Sequence, residues 1–169
     1  MSASKTAHSE QSSASKPPFL TAGEVTPEAL WSWEMGCTQF FIHKDVPEEE
    51  MVKKVAWGMQ DPHIQDWYIT NQEEIDVMMF KEYMAEVCSV WLPIGWADTV
   101  RRKMLASRQG QRAFSEWAID VQSQNTLLRG MASHLPEKIS SRKTYANGLK
   151  RSAFLMKNGC VTLQDRRKQ

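Results

Sequence analysis

Four histidines and three cysteines are the side chains of this 169-residue chain with the greatest potential for metal binding or nucleophilic catalysis. Their spacing favours neither. The sequence contains no two cysteines separated by two residues and no His-Glu-x-x-His segment, which are spacings typical of zinc sites. Cys37 and His43 are close in sequence, but no further ligand accompanies them. We therefore expect no metal ion and no cofactor.

Other groups that could act in catalysis are placed no more favourably. Cys37 and Cys88 fall on apolar faces of predicted helices, where cysteine usually serves as a small buried hydrophobe. The acidic clusters at 48–50 and 73–76 are typical of the first turn of a helix. The sequence has no Gly-x-Ser-x-Gly turn, no Walker-type loop and no Gly-x-Gly-x-x-Gly segment. It therefore predicts a non-catalytic protein without a small-molecule substrate.

Six of the seven tryptophans have positions from which a role can be predicted. Five of the seven coincide with apolar helical faces and are predicted to pack in a core: Trp33, Trp67, Trp91, Trp96 and Trp117. Trp31 lies off the main apolar stripe of its helix. Because an exposed aromatic side chain can anchor a protein partner, Trp31 is a candidate self-association residue.

The elements that position these residues are predicted to be helices. Thr26 followed by Pro27 is a typical helix start, with a side-chain cap and a proline at the first helical position. Similar starts follow at 45–47 and 61–62, and apolar residues recur at helical spacing over 80–91, 96–104 and 114–128. A seventh helix is predicted after Ser133. With no convincing alternation of the kind that strands require, the sequence predicts an all-α fold.

Composition divides the chain into four segments. Residues 1–24 are rich in Ser, Ala, Lys and Thr and are predicted to be a disordered arm. Residues 25–107 form an N-terminal helical lobe, which ends at a polar break containing a glycine. Residues 108–155 form a C-terminal helical lobe, and 156–169 a basic tail. No internal repeat is evident.

Charge and cysteine content indicate the partners and the compartment. Residues 1–129 have a net charge of −6 and residues 130–169 a net charge of +7. A basic tail behind an acidic body suits binding to RNA or another polyanion, although a solvated surface has the same composition. Three widely spaced cysteines favour a reducing, cytoplasmic location. We expect neither a signal peptide nor a membrane span, because no apolar run approaches the roughly 18 residues that a span needs.

The order of several sequence segments resembles that of a known protein family, which composition alone does not indicate. TPEALWSWEMGCTQFF at 26–41 is followed by KDVPEEEMVKKVAWGMQDPHIQDWY, by FKEYMAEVCSVWL at 80–92, by RQGQRAFSEW at 108–117 and by QNTLLRG at 124–130. In this order, the segments resemble the Gag capsid protein of fungal gypsy-type LTR retrotransposons over about residues 20–150. The resemblance implies an all-helical capsid with two lobes that assembles with copies of itself around the element's RNA.

The resemblance also implies roles for particular residues. Gln109, Gly110, Phe114 and Trp117 are similar to the turn and helix of the major homology region of retroviral capsids. We expect them to determine the structure of the second lobe, with Gln109 hydrogen-bonded across the turn. Contacts to nucleic acid are expected from the C-terminal basic residues: Lys138, Arg142, Lys143, Lys150, Arg151, Arg166, Arg167 and Lys168.

Two departures from the family pattern limit what the resemblance implies. The chain lacks the zinc knuckle, Cys-x2-Cys-x4-His-x4-Cys, that commonly follows a Gag capsid region. The segment from Ile139 onward also has fewer leucines than the family's second lobe, which indicates a truncated or degraded lobe. Three alternatives therefore stay open at the level of sequence: an assembling Gag, a host-adopted or nucleic-acid-binding module, and an inactive Gag remnant.

Overall fold

The computed structural model describes residues 5–129 together with Met131 and His134. The described part is mostly helical, in agreement with the predicted fold class, and its strands are limited to one two-stranded sheet. The strands are β1 (Ser9–Glu10) and β2 (Phe19–Leu20). The α-helices are α1 (Pro27–Lys44), α2 (Glu48–Val55), α3 (Pro62–Thr70), α4 (Gln72–Ile75), α5 (Phe80–Trp91), α6 (Trp96–Ala106) and α7 (Phe114–Leu127), and a 3-10 turn covers Ala56–Gly58.

The predicted helix starts at Thr26 and Asp61 are confirmed. Thr26 Oγ1 accepts a hydrogen bond from Ala29 N at 3.2 Å, and Asp61 Oδ1 accepts one from His63 N at 2.9 Å. Each cap is followed by a proline at the first helical position, where the missing N–H costs nothing. Asp45, predicted to begin the second helix, instead ends α1 in a left-handed conformation with φ 51°.

The predicted disordered arm at 1–24 is wrong for residues 5–24, which are folded onto the helices. β1 and β2 pair antiparallel, with Ser9 opposite Leu20. The backbone of Leu20 accepts a hydrogen bond from Gln60 N at 2.8 Å, and its side chain is buried. The polar composition of the segment concealed this outcome, because backbone hydrogen bonds and a few apolar residues suffice to hold it to the body.

A close approach at Gly58 explains how the arm docks. A Cβ atom at this position would lie 2.5 Å from the backbone oxygen of Pro18, so only glycine allows the contact. The same oxygen accepts a hydrogen bond from Trp33 Nε1 at 3.2 Å. The folded arm is therefore an integral part of the structure around α1.

The chain forms two compact units that divide between Ile94 and Gly95, whereas the sequence predicted a boundary after residue 107. The difference arises because α6 packs against α7. Val100 and Met104 of α6 share a buried cluster with Trp117 and Val121 of α7. We refer to Met1–Ile94 as the N-terminal unit and to Gly95–Gln169 as the C-terminal unit. Among the described residues, no helix is long and apolar enough to cross a membrane.

Candidate functional site

The turn before α7 has the geometry that the sequence predicted for Gln109 and Gly110. Gly110 adopts φ 57°, a left-handed conformation that glycine tolerates best. Gln109 Nε2 donates a hydrogen bond to the backbone oxygen of Arg112 at 3.0 Å and so closes the turn. Arg112 in turn donates to the backbone oxygen of Arg108 at 3.0 Å and forms an ion pair with Asp120. These contacts fix where α7 begins.

The aromatic face of α7 forms the core of the C-terminal unit. Trp117 is buried, and its ring lies 5.9 Å from that of Phe114, which is partly buried. Trp117 Nε1 also donates a hydrogen bond to Ser107 Oγ at 3.0 Å, across the turn. Phe114 and Trp117 therefore stabilise this part of the unit from inside.

Trp31 lies on the outward side of α1 and keeps 37% of its surface exposed. The same side presents Met35, which is 39% exposed, and Ile42, which is 78% exposed. Sequence reasoning identified Trp31 alone. The spacing of 31, 35 and 42 would have revealed the other two, because these positions fall on one line along a helix. We call Trp31, Met35 and Ile42 the outward stripe.

The two described cysteines are placed as apolar side chains and not as nucleophiles. Cys37 is fully buried and Cys88 partly buried. Burial, with a smaller contribution from Glu34, raises the pKa of Cys37 far above its ordinary value of 9.0. The same two causes raise the pKa of Cys88 to about 11. Both side chains are therefore neutral thiols at neutral pH, whereas nucleophilic attack requires a thiolate.

The carboxylates and histidines of the described residues do not converge on a chemical site. No group of three or more His, Cys, Asp or Glu side chains in this part of the chain could hold a metal ion. The acidic residues at 48–50 are exposed in the first turn of α2, as predicted. Glu73 and Glu74 are exposed in the first turn of α4, whereas Asp76, which the sequence placed in the same cluster, lies at the end of that helix. An open cleft of about 300 Å³ brings Asp61 and His63 together, but Asp61 Oδ1 is engaged in capping α3.

The C-terminal basic residues predicted to bind nucleic acid lie outside the described residues: Lys138, Arg142, Lys143, Lys150, Arg151, Arg166, Arg167 and Lys168. The predicted seventh helix after Ser133 also lies outside them. Within the described part of the C-terminal unit, Arg102 and Lys103 are exposed on α6, and Arg108 is exposed in the turn that follows.

Charge divides at the boundary between the two units. The N-terminal unit contains six lysines, no arginine and fifteen acidic residues, so its net charge is −9. The C-terminal unit contains all nine arginines and six lysines against five acidic residues, so its net charge is +10. The division is sharper than the one that sequence alone indicated, because α6 and the turn after it bring five basic residues into the C-terminal unit.

Comparison with known proteins identifies no relative of this chain. No protein-family model, no curated protein and no solved structure matches the chain.

Proposed function

We propose that this chain is a non-catalytic structural protein similar to a retrotransposon Gag capsid, which associates with copies of itself around RNA. The observation that carries the proposal is the division of charge between two compact helical units, −9 on one and +10 on the other. A protein that packages RNA needs one surface that attracts phosphate and another that remains available for protein contacts. Opposite charges on two units meet both needs.

The distribution of arginine supports this assignment. The planar guanidinium group binds phosphate through paired hydrogen bonds, which the ammonium group of lysine cannot do. Because every arginine belongs to the C-terminal unit, phosphate contacts are expected there alone. The N-terminal unit, which would repel a polyanion, is left for contacts between copies, and its exposed Trp31 is the candidate residue for them. Weak contacts of this kind gain strength when many copies lie on one RNA.

The same charge division favours a second candidate, a nucleic-acid-binding module that does not assemble. In this case the basic C-terminal residues, Lys138 to Lys168, would bind RNA or DNA without sequence preference. Such binding works by release of counterions. If about five phosphates were neutralised, affinity for single strands would fall roughly a hundredfold between ~50 and ~200 mM salt.

Light scattering coupled to size-exclusion chromatography tests the proposal on the full chain. Protein concentration is varied with and without RNA at the two salt concentrations. We expect particle-sized assemblies that RNA promotes and salt weakens. A monomer that binds RNA in a salt-sensitive way would overturn assembly in favour of the second candidate. A monomer that binds nothing would overturn both candidates and indicate an inactive remnant.

A pair of charge-matched variants locates the RNA contact. Arg102→Glu with Lys103→Glu reverses two exposed charges on α6 of the C-terminal unit. Lys53→Glu with Lys54→Glu makes the same change of charge on α2 of the N-terminal unit. We expect the first variant to weaken RNA binding by at least tenfold and the second to leave it nearly unchanged. Equal loss in both variants would contradict a division of labour between the units.

A further inference from the structure

The folded arm, residues 5–24, lies in a groove of the N-terminal unit that fits it closely. Trp33 Nε1 donates a hydrogen bond to the backbone oxygen of Pro18, and Gly58 leaves room for that oxygen. The ring of Pro18 lies against Gly36, where a Cβ atom would be only 3.0 Å from Pro18 Cβ. Glycine at both positions allows the arm to approach this closely. We call the site formed by Trp33, Gly36 and Gly58 the arm groove.

Leu20 anchors the arm beside the arm groove through its side chain and its backbone. The side chain is 1% exposed, and the residue pairs with Met59 in a parallel bridge. Gln60 N donates a hydrogen bond to the backbone oxygen of Leu20 at 2.8 Å. Gln11 Nε2 of the arm donates one to the backbone oxygen of Gly36 at 3.1 Å. Main-chain hydrogen bonds and a buried alternate side chain are also how folded domains bind an extended peptide from another chain.

The arm has a structure of its own besides its contacts with the arm groove. β1 and β2 pair with each other, and Thr21 N donates a hydrogen bond to the backbone oxygen of His8 at 3.0 Å. Further along the hairpin, Ala7 N donates to the backbone oxygen of Glu24 at 2.9 Å. The arm can therefore move as one hairpin, because its departure breaks contacts with the groove and leaves this pairing in place.

A connection of two residues, Val25 and Thr26, joins the arm to α1. Thr26 has an extended backbone with φ −105° and ψ 156°, and Pro27 begins the helix. Because proline disfavours the helical conformation in the residue before it, α1 does not extend into the connection. A change of direction here leaves the helix intact. Short connections of this kind are where elements are exchanged between copies of a protein.

We propose that the arm of one copy binds in the arm groove of a second copy, whose own arm binds in the groove of the first. The arm that lies in the groove shows which segment fits it, and every copy carries that segment. Both grooves and both arms are filled in such a pair, so the contacts made within one chain are formed again between two. Exchange of an identical element is for this reason a low-cost route to a dimer.

Charge determines the conditions that favour this pair. The arm contains two lysines and two glutamates and has no net charge, whereas the N-terminal unit as a whole has a net charge of −9. Two such units repel each other, but a neutral arm does not add to the repulsion. High salt should therefore favour the pair by screening, whereas it weakens RNA binding. The inference rests on the proposed function only in that copies of the chain associate.

Cross-linking between Thr21→Cys in one chain and Gln60→Cys in another tests for exchange. Each position directly follows one member of the bridge between Leu20 and Met59, and paired strands lie about 4.8 Å apart. A short bis-methanethiosulfonate linker joins two thiols at this distance through disulfides that reduction removes. Because each chain carries one of the two thiols, the linker joins them efficiently when the arm of one copy lies in the groove of the other.

Gln122→Cys provides the control, because it makes the same substitution as Gln60→Cys at an exposed position of α7. In all variants Cys88 and Cys160 are replaced by alanine, and the buried Cys37 is kept. The arm variant is mixed with either partner at high protein concentration and ~500 mM salt, where charge repulsion is screened. We expect at least tenfold more cross-linked pairs with Gln60→Cys than with Gln122→Cys. Equal yields would overturn the inference.

A reversible lock within one chain tests whether exchange is what joins the copies. The double variant Thr21→Cys with Gln60→Cys is treated with the linker at low protein concentration, so that each arm is fixed in its own groove. Sedimentation equilibrium then compares the locked chain with the same chain after reduction, at ~500 mM salt and without RNA. We expect the locked chain to be a monomer and the reduced chain to dimerise. The same behaviour in both forms would overturn the inference.

The two proposals can fail independently. If neither form dimerises without RNA, but RNA promotes particles equally in both, the inference fails and the proposed function stands. If the reduced chain dimerises by exchange while RNA promotes no assembly, the inference stands and the proposed function fails. The two measurements differ in salt and in the presence of RNA, so neither result can be mistaken for the other.

Discussion

Trp33 is a core residue of the N-terminal unit and Trp117 of the C-terminal unit, but the two side chains stabilise different kinds of contact. Both rings are buried, and both indole N–H groups are hydrogen-bonded. Trp33 donates to the backbone of Pro18, in the folded arm that leads into its helix. Trp117 donates to Ser107, across the turn that joins α6 to its own helix. The Trp33 contact thus holds a non-helical segment onto a helix, whereas the Trp117 contact joins two consecutive helices.

This difference explains how the arm can fold despite its polar composition. The backbone oxygen of Pro18 is held by the Trp33 indole, and Gly58 leaves room for it. The arm depends on a site that α1 and the 3-10 turn at Ala56–Gly58 provide. In the described part of the C-terminal unit, α6 and α7 bury a cluster around Trp117, and the turn between them carries its own hydrogen bonds. Removal of Trp33 should therefore affect both α1 and the arm, whereas removal of Trp117 should affect only α6 and α7.

Trp33→Ala is expected to have the largest effect. Loss of a fully buried tryptophan costs about 3–5 kcal/mol of unfolding free energy, and loss of the hydrogen bond to Pro18 adds about 1 kcal/mol. Denaturant unfolding measures the total. Hydrogen exchange should show that amides of the arm lose protection together with those of α1. Trp33→Phe, which keeps an aromatic ring but not the N–H group, should release the arm at a lower cost. Retained protection of the arm in both variants would contradict its dependence on Trp33.

Trp117→Ala should destabilise the C-terminal unit by about 3–5 kcal/mol. The expected loss of protection is confined to α6 and α7, because the contacts of Trp117 are local. Trp31→Ala provides the matched control, since truncation of a side chain that is only partly buried in the monomer should cost much less. A loss below about 1 kcal/mol for Trp117→Ala would mean that the aromatic face of α7 does not form the core of this unit.

The parts of the structure that depend on neighbouring residues could be predicted from sequence. The caps at Thr26 and Asp61 and the glycine turn at Gly110 are confirmed, because each depends on chemistry within a few residues. The burial of Trp117 is confirmed because the apolar spacing of its helix identifies the inward face. The short helix α4 was not predicted, because four residues are too few to establish a helical period.

The parts that depend on distant residues could not be predicted. The folded arm needs Trp33 and Gly58 to receive Pro18, and no local pattern encodes that pairing. The boundary between the units was placed too late for a similar reason, since the polar break after α6 is a turn within the C-terminal unit. For the candidate surface, the sequence analysis predicted Trp31 alone and missed Met35 and Ile42, although their spacing places them on the same side of α1.

Alkaline pH should destabilise the N-terminal unit more than the described part of the C-terminal unit. We expect this effect to be smaller than that of either tryptophan substitution. Burial raises the pKa of Cys37, Tyr83 and Tyr68 in the N-terminal unit, and that of Cys88 to about 11. The described part of the C-terminal unit contains neither cysteine nor tyrosine. A raised pKa means that the unfolded chain loses its proton first. The stabilisation is therefore complete below about pH 9 and declines as pH rises towards the folded pKa.

Cys37 sets the scale of this alkaline effect because it is fully buried. By pH 10 its ionisation in the unfolded chain alone should lower the unfolding free energy of the N-terminal unit by about 1 kcal/mol. Denaturant unfolding at pH 8 and pH 10, followed by hydrogen exchange in each unit, measures it. Cys37→Ala is the matched variant: it loses stability at both pH values but should show a smaller decline between them. An equal decline in both proteins would assign the alkaline sensitivity to the tyrosines and not to the buried thiol.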